Sequence, residues 1–210
     1  MARLLKLNNA VQNLISTFFP PQCLRCGRLE YDLCADCRLS VKAEPGASLT
    51  GIDSVFSAGN YSGWLRDCVL AYKSGKKSNA QGLVSVLLQI LSAVQFSPDY
   101  LVGIPSTKTK VKSRGYDTVG HLCEIMSNRS NFKHAQVLKF GHQVSSQVGL
   151  TRSQRQQNLH DAFTVRMPIS GKILLVDDVI TTGATVSAAA QKLRIAGAKT
   201  IFAISLCRTQ

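Results

Sequence analysis

The sequence predicts an α/β domain built on a mainly parallel sheet flanked by helices, with a small metal-binding module in front. Three observations predict it. Ile173 to Val176 is a short, wholly apolar run, the pattern of a strand buried on both faces. That run passes through Asp177 and Asp178 into Thr181-Thr182-Gly183-Ala184-Thr185 and then a helical stretch from Val186 to about Ala196, so strand, loop and helix follow in order. Four cysteines, Cys23, Cys26, Cys34 and Cys37, crowd the front of the chain.

The 210 residues leave room for one such domain and a small appendage. An apolar fraction of 45% is that of a folded chain. A net charge of +13 implies anionic partners: phosphates, nucleic acid or a membrane surface. No transmembrane segment is expected, because the longest apolar stretch, Leu83 to Val94, is too short to span and carries Ser85, Gln89 and Ser92. Arg3 and Lys6 precede apolar residues, as in a signal peptide, but Asn8, Asn9, Gln12 and Asn13 interrupt the run and no small-residue cleavage site follows. Leu4, Leu7, Val11, Leu14, Ile15 and Phe18 fall instead at helical spacing, with Pro20-Pro21 as a stop. Residues 1–20 therefore read as an amphipathic helix packed on the body of the protein, membrane-surface contact being the other use of such a face. A cytoplasmic protein is expected.

Residues 21–45 read as the metal module. Cys23-x2-Cys26 and Cys34-x2-Cys37 are separated by seven residues. In a cytosolic chain such thiols read as a Zn²⁺ site before they read as disulfides. Four thiolates fill a tetrahedral ion, so the site is closed and structural. So short a segment has too little core to fold alone, and metal binding would supply most of its folding free energy, about 10 kcal/mol or more. A redox CxxC is the alternative, and the presence of two pairs argues against it. Cys68, Cys123 and Cys207 lie in apolar contexts and read as core thiols.

Residues 46–210 supply the α/β elements. Val55 to Asn60 reads as a strand, Trp64 to Tyr72 as a helix with Trp64, Leu65, Cys68, Val69 and Tyr72 on one face, and Asn79 to Gln95 as a longer helix. Tyr100 to Ile104 reads as a short buried strand ending in the loop Pro105-Ser106-Thr107-Lys108, the place where open α/β sheets bind ligands. Thr107 to Gly115 is the most basic segment, with Lys108, Lys110, Lys112 and Arg114 and no acid. A helix from about Val119 to Ser127, a strand near Val137 to Phe140, a polar loop from Gln143 to Asn158 carrying Arg152 and Arg155, and a short strand from Phe163 to Arg166 follow. Thr200 to Leu206 closes the sheet.

The loop Thr181 to Thr185 offers backbone N–H groups, hydroxyls and the positive end of a helix dipole to one phosphate. Asp177 and Asp178 repel a phosphate but suit ribose hydroxyls or a Mg²⁺ ion, so the combination describes a phosphorylated sugar. A Walker B strand also ends in Asp, but the chain has no G-x-x-x-x-G-K-[ST] to accompany it. An ordinary strand–loop–helix is the bland alternative. At these residues the chain resembles type I phosphoribosyltransferases, whose signature runs apolar residues, two acids, an apolar pair, then Thr-Thr/Gly-Gly-x-Thr.

The order of parts from about Cys23 to Arg208 resembles the ComF family of bacteria. The resemblance rests on the four cysteines, Tyr72-Lys73-x-Gly75, Pro105, Arg114-Gly115-Tyr116-Asp117 and Gln147-Val-Gly149-Leu150-Thr-Arg152-x-x-Arg155-x-x-Asn158, ahead of the acid pair. It implies handling of imported single-stranded DNA in natural transformation or nutrient DNA use, a DNA-uptake helicase or other competence proteins as partners, and a fold able to hold phosphoribosyl pyrophosphate (PRPP) with Mg²⁺. It also implies that Asp177 and Asp178 meet the ribose hydroxyls, that Thr181 to Thr185 cradle the 5′-phosphate, and that Pro105 to Lys108 with Arg114 face the pyrophosphate. Lys110 and Lys112 would extend the basic surface, and Arg152 and Arg155 would lie on a mobile loop closing over the site. The chain departs from the family where the loop after Pro105 commonly carries Leu-His; here it is Ser106-Thr107. Two functions stay open: a single-stranded-DNA-handling protein on this fold, and an active phosphoribosyltransferase of unidentified acceptor. A sensor of PRPP needs binding alone.

Overall fold

Apolar runs in the second half of the chain become the centre of a six-stranded sheet. The computed structural model describes residues 20–140 and 162–209. Its strands are β1 (Glu44–Pro45), β2 (Ser54–Ser57), β3 (Tyr100–Gly103), β4 (Lys133–His134), β5 (Leu138–Phe140), β6 (Phe163–Val165), β7 (Gly171–Ile180) and β8 (Ala198–Arg208). The helices are α1 (Ala35–Leu39), α2 (Gly63–Lys73), α3 (Ala80–Ala93), α4 (Lys108–Arg114), α5 (Thr118–Arg129) and α6 (Ala184–Ile195). The sheet order is β1-β2-β8-β7-β3-β4, with every neighbouring pair parallel except β1 and β2. β5 and β6 form a separate antiparallel pair.

The period-two alternation of β7 and β8 sorts their side chains into two cores. Leu174, Val176, Ile204 and Leu206 face α2, α3 and α5, while Ile173, Leu175, Ile201 and Ala203 face α6 and the β5–β6 pair. Burial on both faces is why these strands read as unbroken apolar runs. The four-cysteine segment packs on the first face. Gly82 of α3 permits the approach: a Cβ there would lie 2.5 Å from the Asp32 carbonyl oxygen and 2.6 Å from Leu24 Cδ1. The Arg25 guanidinium also lies over the Trp64 ring, 5.9 Å from its centroid. Among the described residues no helix is long and apolar enough to cross a membrane.

The structure departs from the sequence expectations in four places. The strand expected over 173–176 spans Gly171–Ile180, because β8 continues beside it as far as Ile180 and Arg208, so Asp177 and Asp178 stand inside the strand and not beyond its end. The basic segment, to which the sequence assigned no element, is helical from Lys108. Thr107 Oγ1 accepts from the Lys110 N–H at 3.4 Å, and Gly115 ends the helix at φ 80°. α4 buries no side chain, so no apolar period announced it. The strands expected near 137–140 and 163–166 exist but pair with each other, outside the main sheet. β8 does not close the sheet; it lies between β2 and β7. The helix expected over 1–20 and the polar loop over 143–158 fall outside the described residues, apart from Pro20.

Candidate functional site

The carboxyl ends of the parallel strands β2, β3, β7 and β8 share one edge of the sheet. The chain leaves β3 toward β4 on one side and β7 toward β8 on the other, and a crevice opens where those directions part. This cleft has a volume of about 530 Å³ and is lined by Tyr61, Lys73, Pro105, Ser106, Thr107, Lys110, Arg114, Thr118, Asp177, Asp178, Thr181 and Thr185, among others.

The acids form its floor. Asp178 is 7% exposed. Lys73 Nζ lies 2.7 Å from its Oδ1, and Thr118 Oγ1 donates to its Oδ2 at 3.5 Å. Asp177 Oδ1 accepts from the Asp178 N–H at 2.8 Å. Burial, then the neighbouring Asp178 charge, pushes the Asp177 carboxyl up to about 7, against the opposing pull of that N–H, Lys73 and Lys110. Lys73 reaches this position from the end of α2 because Tyr72 anchors it. The Tyr72 ring is fully buried, its hydroxyl donates to the Thr118 carbonyl at 2.9 Å, and it lies 2.9 Å from His121 Nδ1. Tyr116 in turn donates its hydroxyl to the Tyr72 carbonyl.

Thr181 to Thr185 join β7 to α6. Gly183 takes φ 75°, and a Cβ there would collide with Leu49, so two constraints select glycine. The N-cap Gly183 has no side chain, so apart from the Ala184 N–H, which donates to Thr182 Oγ1 at 3.4 Å, the first turn of α6 and the positive end of its dipole face an anion. Thr181 and Thr185 line the cleft, while Thr182 and Gly183 back onto a smaller pocket of about 90 Å³.

The facing wall is the Pro105–Thr107 loop. Ser106 Oγ donates to Asp117 Oδ1 at 2.8 Å, tying that loop to the start of α5. Lys110 and Arg114 turn into the cleft; Lys108 lines a neighbouring hollow; Lys112 is exposed and lines neither. Arg152 and Arg155 fall outside the described residues. The neighbouring hollow, of about 940 Å³, lies across the Pro105–Thr107 wall and is bordered by α5, β4 and β5. His121 and His134 both line it. His121 is on α5, whereas His134 is partly buried on β4, and burial holds its imidazole below the usual range.

Sequence reasoning noted Tyr72 and Lys73 as a motif but gave Lys73 no role, and it passed over Thr118. The signal for Lys73 is a lysine at the carboxyl end of an amphipathic helix, which becomes informative only once Asp178 is seen opposite.

At the front of the chain, the four cysteine sulfurs lie within 4.8 Å of one another. Cys26 Sγ and Cys34 Sγ are 3.7 Å apart, close to the roughly 3.8 Å edge of a tetrahedron with Zn–S bonds of about 2.3 Å. Burial alone would raise the Cys23 thiol, but the N–H groups of Cys26, Cys34 and Arg25 bring it down to about 6, the thiolate character a metal ligand needs. The cluster could therefore hold a metal such as zinc.

A mostly parallel sheet, an acid pair inside the strand that leads to an uncapped helix, and a cleft at the strand ends define a protein with the type I phosphoribosyltransferase-like fold. No family model matches the chain. It is 27% identical over 207 residues to the DNA utilization protein YhgH of Escherichia coli, covering 89% of this chain and 88% of that protein. It is 29% identical over 188 residues to the competence protein ComFC of Streptococcus pneumoniae, covering 89% and 80%. With competence protein F of Haemophilus influenzae it shares 28% identity over 116 residues, 53% and 51% of the two chains. These similarities to competence and DNA utilization proteins agree with the resemblance to the ComF family.

Proposed function

We propose that this protein acts in the uptake or use of DNA, handling it as a single strand, and that its cleft binds PRPP with Mg²⁺. The relatives' names support the first part. The observation that carries the second is the meeting, in one cleft, of two acids, an uncapped helix start and a basic lip. Thr181 to Thr185 and the first-turn N–H groups of α6 take the 5′-phosphate. Asp177 and Asp178 accept from the ribose hydroxyls. Lys73, Lys110 and Arg114, beside Ser106 and Thr107, balance the pyrophosphate charge. Mg²⁺ on the pyrophosphate would supply further positive charge to the leaving oxygens. Cys23, Cys26, Cys34 and Cys37 would hold a structural Zn²⁺.

Two measurements test these parts separately. Fluorescence anisotropy of labelled single-stranded DNA should show affinity falling with salt, at about −0.7 in log–log slope per phosphate contacted. Salt-insensitive or absent binding overturns the DNA reading. Mg²⁺ with PRPP should raise the thermal midpoint of the wild type and leave Asp177→Asn/Asp178→Asn unmoved; an equal rise in both overturns the assignment of the cleft.

A second reading is favoured by the Asp177 carboxyl, held near neutrality by burial and by Asp178. It is an active phosphoribosyltransferase, in which Lys110 and Arg114 stabilise the departing pyrophosphate. It requires Mg²⁺-dependent consumption of PRPP that the double Asn variant loses. No turnover across purine, pyrimidine and amine acceptors would leave binding alone.

A further inference from the structure

We infer that the 940 Å³ hollow beside the cleft seats a nucleotide of a DNA single strand, base inward and phosphates on its rim. The inference rests on the reading that the protein handles single-stranded DNA, and it assigns that strand a place distinct from the acid cleft.

Sugar chemistry keeps the strand out of the cleft. A deoxyribose within a strand lacks the pair of free hydroxyls that two carboxylates would accept from. Across the Pro105–Thr107 wall four cations, Lys77, Lys108, Lys139 and Arg166, outnumber the two acids, Asp117 and Glu124, that also line the hollow. Tyr116 and Phe140 are half-buried rings: Tyr116 meets His121 edge-on at 5.8 Å and carries Lys77 Nζ 4.6 Å from its centroid, and Phe140 lies 4.9 Å from Phe163. Rings held by such neighbours offer a fixed surface to a base, and stacking accepts any base because every base has a π face. Beside them, His134 and the exposed amide of Gln136 bring hydrogen-bonding groups for a base edge. A volume of 940 Å³ lies at the upper end of the roughly 300–1,000 Å³ of ordinary ligand pockets, so a nucleotide fits with room for its neighbours to leave.

The rim says why the ligand is a strand and not a free nucleotide. Its cations stand apart, on four different pieces of chain: Lys77 before α3, Lys108 on α4, Lys139 on β5 and Arg166 just after β6. Such spacing meets successive phosphates, as an electrostatic groove does. A lone terminal phosphate would need a convergent cradle, and the Asp117 carboxylate, which accepts from Ser106 Oγ, stands beside the hollow at the start of α5 and repels one there.

The test compares an oligo(dT) with an abasic oligonucleotide of equal length, titrated into the full-length zinc-loaded protein. The wild type should bind oligo(dT) about fivefold or more tightly, the low end for stacking of one base. Gln136→Trp, which fills the hollow from an exposed position, should erase that preference and leave abasic-strand binding and the Mg²⁺·PRPP thermal shift unchanged. Lys139→Ala/Arg166→Ala should reduce the salt slope by about 1.4, two contacts on a single strand. Equal affinity for the two strands, or a preference that survives Gln136→Trp, overturns the inference while salt-sensitive binding keeps the DNA reading standing. Absence of binding to either strand overturns both.

Discussion

Between Cys23 and Cys37 the chain buries one large apolar side chain, Leu33, besides three of its cysteines, whereas β7 and β8 together bury Ile173, Leu174, Leu175, Val176, Ile201, Ile204 and Leu206. In the first region four sulfurs converge where a metal could bind, and in the second a continuous apolar sandwich holds the backbone. A region held by a few specific groups fails when one of them is lost. A region held by distributed burial weakens in proportion to the surface removed.

The largest expected break is at the cysteines. Cys34→Ser, or chelation of the wild type, should reduce bound zinc from about one per chain to near none, removing a contribution of about 10 kcal/mol from that segment. The far-ultraviolet spectrum of the sheet and helices should persist. Metal analysis with circular dichroism checks this, and collapse of the whole spectrum would show that the two regions are one cooperative unit. Leu175→Ala, on the fully buried central strand, should instead lower global stability by about 2–5 kcal/mol in denaturant titration and leave zinc content unchanged. Gly82→Ala sits at the seam. Its Cβ would meet Asp32 and Leu24, so a loss of about 1–3 kcal/mol is expected, with faster proteolysis in the cysteine segment than in the sheet.

The smallest effect concerns the cleft, where the fold holds a group against its preference. Because burial and Asp178 raise the Asp177 carboxyl from 3.8 to about 7, its favourable contribution is complete below the ordinary carboxylate range and is lost as pH rises through about 7. Asp177→Asn should therefore flatten the pH dependence of the thermal midpoint between about pH 4 and 7. Above that it should melt a few degrees higher than the wild type, about 1 kcal/mol corresponding to about 2–4 °C in a chain of this size. A lower midpoint at pH 8 would mean that the carboxylate is stabilised in place.

Much of this was legible in the sequence, for identifiable reasons. Ile173 to Val176 declared a two-face-buried strand because no polar residue interrupts it, and the paired cysteines declared themselves by spacing. The helices expected over 64–72, 79–95 and 119–127 are present, the first of them read from its apolar periodicity. What was not legible depends on partners distant in sequence. α4 has only an outer face, so its helical order shows in the Thr107 cap and Gly115 stop and not in any apolar stripe. The extension of β7 past the acids is imposed by β8. The placement of β5 with β6, the ion pair of Lys73 with Asp178 and the hollow around Tyr116 all join segments that the chain order keeps apart.

The Lys73–Asp178 pair turns occupancy of the cleft into an exchange. With Nζ 2.7 Å from the carboxylate and both side chains largely withdrawn from water, a bare divalent ion reaching Asp178 must strip an ammonium of its counter-charge and leave it stranded. A cation that arrives already bound to a polyanion would hand the lysine a new anion in the same event. On the proposed reading of the cleft, this ion pair would disfavour a free divalent ion relative to one carried in on a polyanion.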